Sequence, residues 1–157
     1  MTVEFRVYQS GDLEACVTLL RDNTPKFFAS HEEAEFREFL QHPGAYFVLT
    51  LGGHVVGCGG YRLTDAEIVH LAWGMVDATL HKHRLGERLL LERLRRVHAH
   101  APCAAVLLDT TQHSAGFFTR YGFESVQVTP NFYAHGMHRH DMRLEPPMLE
   151  QTLERHA

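Results

Sequence analysis

The residues best suited to bind an anion lie in one short stretch, residues 81–88. Five of the eight side chains are basic, and the glycine at position 86 lets the backbone approach a ligand closely. The stretch opens a predicted helix, whose N-terminus offers backbone N–H groups and the positive end of the helix dipole. It predicts a phosphate or pyrophosphate site, with a solvated basic face and a helix-packing glycine as the alternative interpretation. Its members are His81, Lys82, His83, Arg84, Leu85, Gly86, Glu87 and Arg88.

A strand and a helix must position these residues, and the hydrophobic spacing predicts both. Residues 67–76 indicate a strand that runs into the stretch, and apolar residues recur at helical spacing from about 85 to 100. Residues 104–108 form a continuous apolar run, typical of a strand buried on both faces of a sheet. A Gly-Gly turn separates two further strands, at 46–51 and 54–61.

The remaining elements complete the order β-α-α-β-β-β-α-β-α-β-β. Further strands are expected at 4–8, 125–129 and 138–144, and further helices from Leu13, from the candidate N-cap Ser30 with Glu33 in a capping-box pattern, and at 114–121. Residues 145–157 predict a tail or a short amphipathic helix that packs on the domain or on a second subunit, which allows a homodimer. The order predicts one α/β domain over residues 1–157, with a mixed sheet flanked by helices.

Composition excludes several classes of protein. Hydrophobic residues make up 45% of the 157, enough for a core without metal or disulfide staples. A net charge of -4 with scattered basic residues argues against a nucleic-acid partner, and no apolar run is long enough to span a membrane. Three separated cysteines and the lack of a signal-like N-terminus favour reduced thiols in a cytoplasm. The thirteen histidines show no carboxylate or thiolate at matching spacing, so we expect no metal site.

Two motifs in this order resemble those of the GNAT superfamily of N-acetyltransferases. The family motif Gln/Arg-x-x-Gly-x-Gly/Ala corresponds to residues 81–86, with His81 at its first position and Arg84 at its first glycine. Arg84 must therefore avoid a positive φ or bear strain there. The late motif Asn-x-x-Ala-x-x-x-Tyr-x-x-x-Gly-Phe corresponds to residues 111–123, with Phe118 at the tyrosine position. The similarity extends over about residues 5–144.

The resemblance implies an acetyl-CoA-binding fold with a central mixed, mostly antiparallel sheet of about six or seven strands and about four flanking helices. Acetyl-CoA would bind through Met75 and Val76, whose backbone pairs with pantetheine, through residues 81–88, and through Thr111 and Phe118. Acetyl transfer by direct attack of a primary amine needs a base, for which Glu67 is slightly preferred to His70. Tyr121 and Tyr133 could replace the missing acid, although packing is the more common role.

The acceptor implied by the resemblance is a small-molecule or peptide amine, which the sequence does not identify further. A second hypothesis is a non-catalytic module that binds or senses acyl-CoA, because Phe118 cannot donate a proton and one loop glycine is replaced. Turnover with any amine would separate the enzyme from the binding module.

Overall fold

Strands and helices follow one another in the order that the sequence predicts. The computed structural model describes residues 2–65 and 67–157. Short 3-10 turns at Ser10–Asp12 and Ala78–Leu80 precede the first and third helices. Within the described residues there are seven strands and five α-helices. They are β1 (Val3–Val7), α1 (Leu13–Asp22), α2 (Glu32–Phe39), β2 (Ala45–Leu51), β3 (His54–Asp65), β4 (Ile68–Val76), α3 (Leu85–His100), β5 (Ala105–Thr110), α4 (Gln112–Thr119), β6 (Glu124–Ala134), β7 (Met137–Leu144) and α5 (Pro146–Arg155).

The strands form one sheet in the order β1-β2-β3-β4-β5-β7-β6. The pairs β1/β2, β2/β3, β5/β7 and β6/β7 are antiparallel, whereas β4 and β5 are parallel. This confirms the predicted mixed, mostly antiparallel sheet with flanking helices.

By its internal contacts the chain divides into two compact units. The first contains residues 2–62 and 72–93. Its core joins the apolar faces of α1 and α2 to β2 and β3 through fully buried side chains, including Cys16, Val17, Phe36, Val48 and Cys58. A second cluster in the same unit packs α3 on the sheet through Leu49, Val56, Leu85 and Leu89. Both helix faces follow the apolar spacing seen in the sequence.

The second unit contains residues 63–65, 67–71 and 94–157. Phe123, Met142, Leu144 and Leu149 are almost completely buried there. The Thr152 hydroxyl donates to the Tyr121 carbonyl oxygen at 2.8 Å, which fixes α5 against the end of α4. The tail is therefore a helix packed on its own chain.

The structure differs from the prediction in three places. Ser30 is not the cap of α2, because the helix begins at Glu32 and the Glu32 carboxylate accepts from the Ala29 amide at 2.7 Å. Glu67 precedes β4 instead of belonging to it. β6 runs well beyond the predicted 125–129. The single domain over 1–157 stays a prediction.

Candidate active site

The connection from β4 to α3 has a defined shape. Asp77 follows the strand, and its Oδ1 accepts from the Thr79 amide at 2.8 Å and from the Thr79 hydroxyl at 2.6 Å. This Asx-type contact starts the 3-10 turn. Arg84 then adopts a φ of 60° immediately before α3 begins at Leu85. Of the two possibilities left by the sequence, Arg84 bears the left-handed conformation instead of avoiding it.

Positive charge surrounds this helix N-terminus. His81, Lys82, His83 and Arg84 are all exposed, and Leu85 is buried in the α3 cluster. Backbone amides at both ends of the stretch are used internally, since His83 N donates to Leu80 O and Arg88 N donates to Arg84 O, each at 3.1 Å. The turn between those two amides, which contains the half-buried Gly86 and Glu87, is where an anion would meet the helix dipole.

Two of the stretch's residues also have partners in the protein. The exposed Arg88 pairs with Glu92 one helical turn later, with Nε and Oε1 3.3 Å apart. The His81 ring lies edge-on to Phe27, with centroids 5.4 Å apart, and Lys26 lies 5.3 Å from the Phe27 centroid. Lys26 is a further cation of this unit that sequence reasoning missed.

The end of β4 presents its backbone in two directions. Asp77 N donates to Val56 O at 2.7 Å, so Asp77 and, by alternation, Met75 point their backbone groups toward β3. Those of Val76 and Gly74 point to the opposite edge of the strand. The Val76 carbonyl oxygen is already contacted by Asn23 Nδ2 at 2.9 Å and by His81 Nε2 at 3.0 Å. Met75 itself buries its side chain in the core under α1 and α2.

Just before these residues, Trp73 has a φ of 46°. The Tyr46 hydroxyl donates to the Trp73 carbonyl oxygen at 2.7 Å. Burial holds the pKa of Tyr46 well above its usual value, so the phenol stays protonated and remains a donor. On α3, Arg93 is only 3% exposed, and burial lowers its pKa to about 10, which still leaves it protonated at neutral pH.

The two candidate bases lie in the second unit. Glu67 is exposed in the turn before β4, where its amide donates to Asp65 Oδ1 at 2.7 Å and its carbonyl oxygen accepts from Ala105 N at 2.8 Å. His70 is exposed within β4 and pairs with Leu107 of β5. Glu67 thus lies at the end of β4 opposite Met75 and Val76, and His70 lies farther along the strand.

The candidates on α4 serve mainly in packing. Thr111 is buried and caps α4, its hydroxyl oxygen accepting from the His113 amide at 3.3 Å. The half-buried Phe118 ring lies edge-on to Phe117 and Phe123. Tyr121 is 7% exposed, between Phe117 and the His156 ring. Its surroundings are those of a packing residue.

A polar cluster lies where β5, β6 and β7 meet. The Tyr133 hydroxyl donates to Asp109 Oδ2 at 2.5 Å. Asp109 lies opposite Asp141 in the β5/β7 pairing, and Arg139 reaches both carboxylates, at 3.9 Å and 2.9 Å respectively. Asp109 is two residues beyond Leu107, the partner of His70, so Asp109 and His70 share one face of the sheet. This face combines a phenol, a histidine and carboxylates.

Two observations concern other classes of site. Across residues 2–65 and 67–157, no group of three His, Cys, Asp or Glu side chains could hold a metal ion. No helix in those ranges has both the length and the apolar character needed to cross a membrane.

The mixed sheet and the basic connection at the α3 N-terminus define an α/β fold with a site suited to an anion. Comparison with known proteins identifies the family to which this fold belongs. Residues 15–146 match the family described as "Acetyltransferase (GNAT) domain". Because this match covers most of the chain, the chain belongs to the GNAT acetyltransferase family. No curated protein sequence matches the chain.

Solved structures share this fold at low sequence identity. Ard1 from Thermoplasma volcanium is 17% identical with a TM-score of 0.77, over 92% of this chain and 98% of that one. The ribosomal-protein-S18-alanine N-acetyltransferase from Escherichia coli is also 17% identical with a TM-score of 0.77, over 92% and 94%. An aminoglycoside 6'-N-acetyltransferase complexed with coenzyme A is 17% identical with a TM-score of 0.73, over 93% and 97%.

Sequence reasoning missed three side chains that contact or cover the end of β4. Asn23 and Tyr46 donate to β4 carbonyls that lie 53 and 27 residues later in the chain. Arg93 lies on the buried side of α3, within a helix whose other charged residues suit a solvated face. The one available signal was an arginine at a position of the apolar stripe, one residue before Leu94.

Proposed function

We propose that this chain transfers the acetyl group of acetyl-CoA to a primary amine by direct attack of the amine on the thioester. The observation that supports this most is the β4–α3 connection, a hydrogen-bonded turn that ends at a helix N-terminus among His81, Lys82, His83 and Arg84. In a family of acetyltransferases, such an anion site suits the pyrophosphate of the donor.

The residues present fit coenzyme A. The amides around Gly86 and the dipole of α3 would hold the pyrophosphate, with the basic side chains of residues 81–88 around it. Of the predicted pair, Met75 points its backbone toward β3 and the Val76 carbonyl oxygen already has partners, so the outward groups of Gly74 and the Val76 amide would pair with pantetheine instead, as an added strand would. Thr111 and Phe118 complete the proposed set of cofactor residues. When bound, acetyl-CoA supplies an activated acyl group on a thiol leaving group.

The chain must also accept a proton from the acceptor ammonium. We favour His70 as base over Glu67, because His70 lies within β4 whereas Glu67 lies in the turn before it, and histidine is the most common general base. Of the two phenols, Tyr133 has its hydroxyl oriented by a hydrogen bond to Asp109, whereas Tyr121 lies in a packed environment. The CoA thiol, with a pKa near that of cysteine, leaves without strong acid assistance.

The remaining assignments rest on composition. We propose a cytoplasmic single domain over residues 1–157, in keeping with the free thiols of Cys16, Cys58 and Cys103. A net charge of -4 suits a cationic amine and does not favour nucleic acid. The acceptor is a small-molecule or peptide amine, and a homodimer stays a prediction.

Two measurements test the function. Calorimetry should show binding of acetyl-CoA, and thiol release over a panel of amines should show turnover with at least one of them. Binding without turnover for any amine would favour the non-catalytic acyl-CoA module, and the absence of both would refute the proposal.

The base is tested by pH–rate profiles of His70→Asn and Glu67→Gln. The variant that removes the base should lose about a hundredfold in turnover, with acetyl-CoA affinity unchanged. Each variant serves as the other's control. If both profiles match that of the wild type, solvent takes the proton and neither side chain acts as base.

A further inference from the structure

The last residues of β4 carry conformational strain. Trp73 has a φ of 46°, a conformation that is a genuine outlier for a bulky side chain. Such a conformation persists only where the surrounding structure holds it. Trp73 is followed directly by the residues whose outward backbone is proposed to pair with pantetheine.

On one face of the sheet, Tyr46 holds this strained residue. Its ring is 1% exposed, among Phe36, Phe39 and Tyr8. Its hydroxyl donates to the Trp73 carbonyl oxygen at 2.7 Å. Gly60, opposite Tyr46 in the β2/β3 pairing, leaves room for the Tyr46 ring, because a Cβ there would lie 2.7 Å from Tyr46 Cδ1.

On the other face of the sheet, Arg93 packs against Gly74, the residue after Trp73. A Cβ on Gly74 would lie 2.8 Å from Arg93 Nη2, and a Cβ on Gly59 would lie 3.1 Å from Arg93 Cζ. The guanidinium therefore lies directly against both glycines. It donates to the Gly60 carbonyl oxygen at 3.3 Å and to Leu89 O of its own helix at 3.4 Å. A side chain at either position would have to displace the guanidinium or the neighbouring backbone.

Burying the positive charge of Arg93 costs free energy. Among the described residues Arg93 forms no ion pair, and this nearly fully buried cation donates its hydrogen bonds to the carbonyl oxygens of Gly60 and Leu89. Buried charges of this kind are often replaced by apolar residues with no loss of stability. If the side chain at position 93 only filled space, methionine or leucine would do so equally well.

We infer that Tyr46 and Arg93 hold Trp73 and Gly74 in place from the two faces of the sheet, and we call this pair of side chains the clamp. The clamp sets the position of the outward backbone groups of Gly74 and Val76, which are proposed to pair with pantetheine. Both are positioning residues that act through the β4 backbone. The inference rests on the proposed function, since it concerns how that site receives acetyl-CoA.

The clamp is tested with Tyr46→Phe and Arg93→Met, and with Tyr8→Phe as the matched control. Tyr8→Phe removes a phenol from the same aromatic cluster, where the Tyr8 ring lies 5.8 Å from Tyr46. Calorimetry measures the affinity of each protein for acetyl-CoA and for adenosine 3′-phosphate 5′-diphosphate, the nucleotide part of CoA without pantetheine. Thermal unfolding is measured in parallel.

Each clamp variant should lose about tenfold in acetyl-CoA affinity, because a slightly displaced backbone loses its alignment with the ligand. Affinity for the nucleotide should stay within about twofold of the wild type, because residues 81–88 are untouched. Arg93→Met should unfold at the same temperature or higher. Tyr8→Phe should bind both ligands as the wild type does.

The measurements distinguish a failure of the clamp from a failure of the proposed function. Wild-type affinity for acetyl-CoA in both clamp variants would overturn the clamp while leaving the proposed function in place. Equal weakening of both ligands, together with a lower unfolding temperature, would show a general structural role and also overturn it. A wild-type protein that binds neither ligand would refute the proposed function, and the clamp with it.

Discussion

Replacing Arg84 by glycine and by alanine separates backbone strain from charge. Both variants lose the guanidinium, but only glycine adopts the observed φ of 60° freely. The left-handed conformation costs about 1–2 kcal/mol for a residue with a Cβ, and the larger entropy of unfolded glycine offsets about 0.5–1 kcal/mol of the gain. We expect Arg84→Gly to be more stable than Arg84→Ala by about 0.5–1 kcal/mol.

Urea denaturation of the two variants measures this difference directly. The matched control is Glu35, an exposed residue within α2, where glycine should be less stable than alanine by about 0.5–1 kcal/mol. The two sites should thus show opposite signs. If Arg84→Ala is as stable as Arg84→Gly, the strain assigned to the connection before α3 is absent.

Three further predictions concern other parts of the chain. Gly86→Glu should weaken acetyl-CoA binding at least tenfold by calorimetry, since the new carboxylate repels the pyrophosphate; Gly116→Glu, on an open position of α4, is the control. The Arg6 guanidinium lowers the pKa of Asp12, so Asp12 stabilises the fold above about pH 4, and this contribution disappears as the pH falls through the lowered pKa. Asp12→Asn should therefore cost about 1–2 kcal/mol at pH 7 in denaturant titrations and almost nothing in strong acid. Phe118→Ala should lower the free energy of unfolding by about 2–3 kcal/mol. If Phe118→Tyr fails to fold, the ring at position 118 lies away from solvent.

Local patterns predicted the fold well because its elements follow their hydrophobic periods. α3 begins and ends at the predicted residues 85 and 100, since five apolar positions there keep one helical stripe. The β2–β3 turn falls at the predicted Gly52 and Gly53, both with positive φ. The limits of β6 were missed because its residues are mostly exposed and its pairing with β7 is irregular. Cross-strand pairing of that kind leaves little mark on one strand's sequence.

The candidate site was predictable only where its residues are neighbours in the chain. Residues 81–88 form one connection, so their basic character could be seen directly in the sequence. Asn23, Tyr46 and Arg93 act on β4 through contacts formed only in the folded chain, and no local pattern reports such contacts. The resemblance to the family placed Phe118 at an acid position, and its aromatic surroundings explain why a phenylalanine suits that position.

Backbone strain in the first unit is concentrated around the proposed cofactor site. Among the described residues, three other than glycine have positive φ: Trp73, Arg84 and Asn131. Asn131 tolerates this conformation, and its side-chain oxygen accepts from the Gly136 amide at 2.7 Å. Trp73 and Arg84 lie in the first unit, Trp73 just before the residues proposed to pair with pantetheine and Arg84 just before the α3 N-terminus proposed to bind the pyrophosphate. Strain of about 1–3 kcal/mol at each must be offset by the surrounding structure. Because Tyr46, Arg93 and Asp77 hold the segment through contacts within the protein, the proposed acetyl-CoA site would be preorganised, and less binding free energy would be spent on ordering the protein.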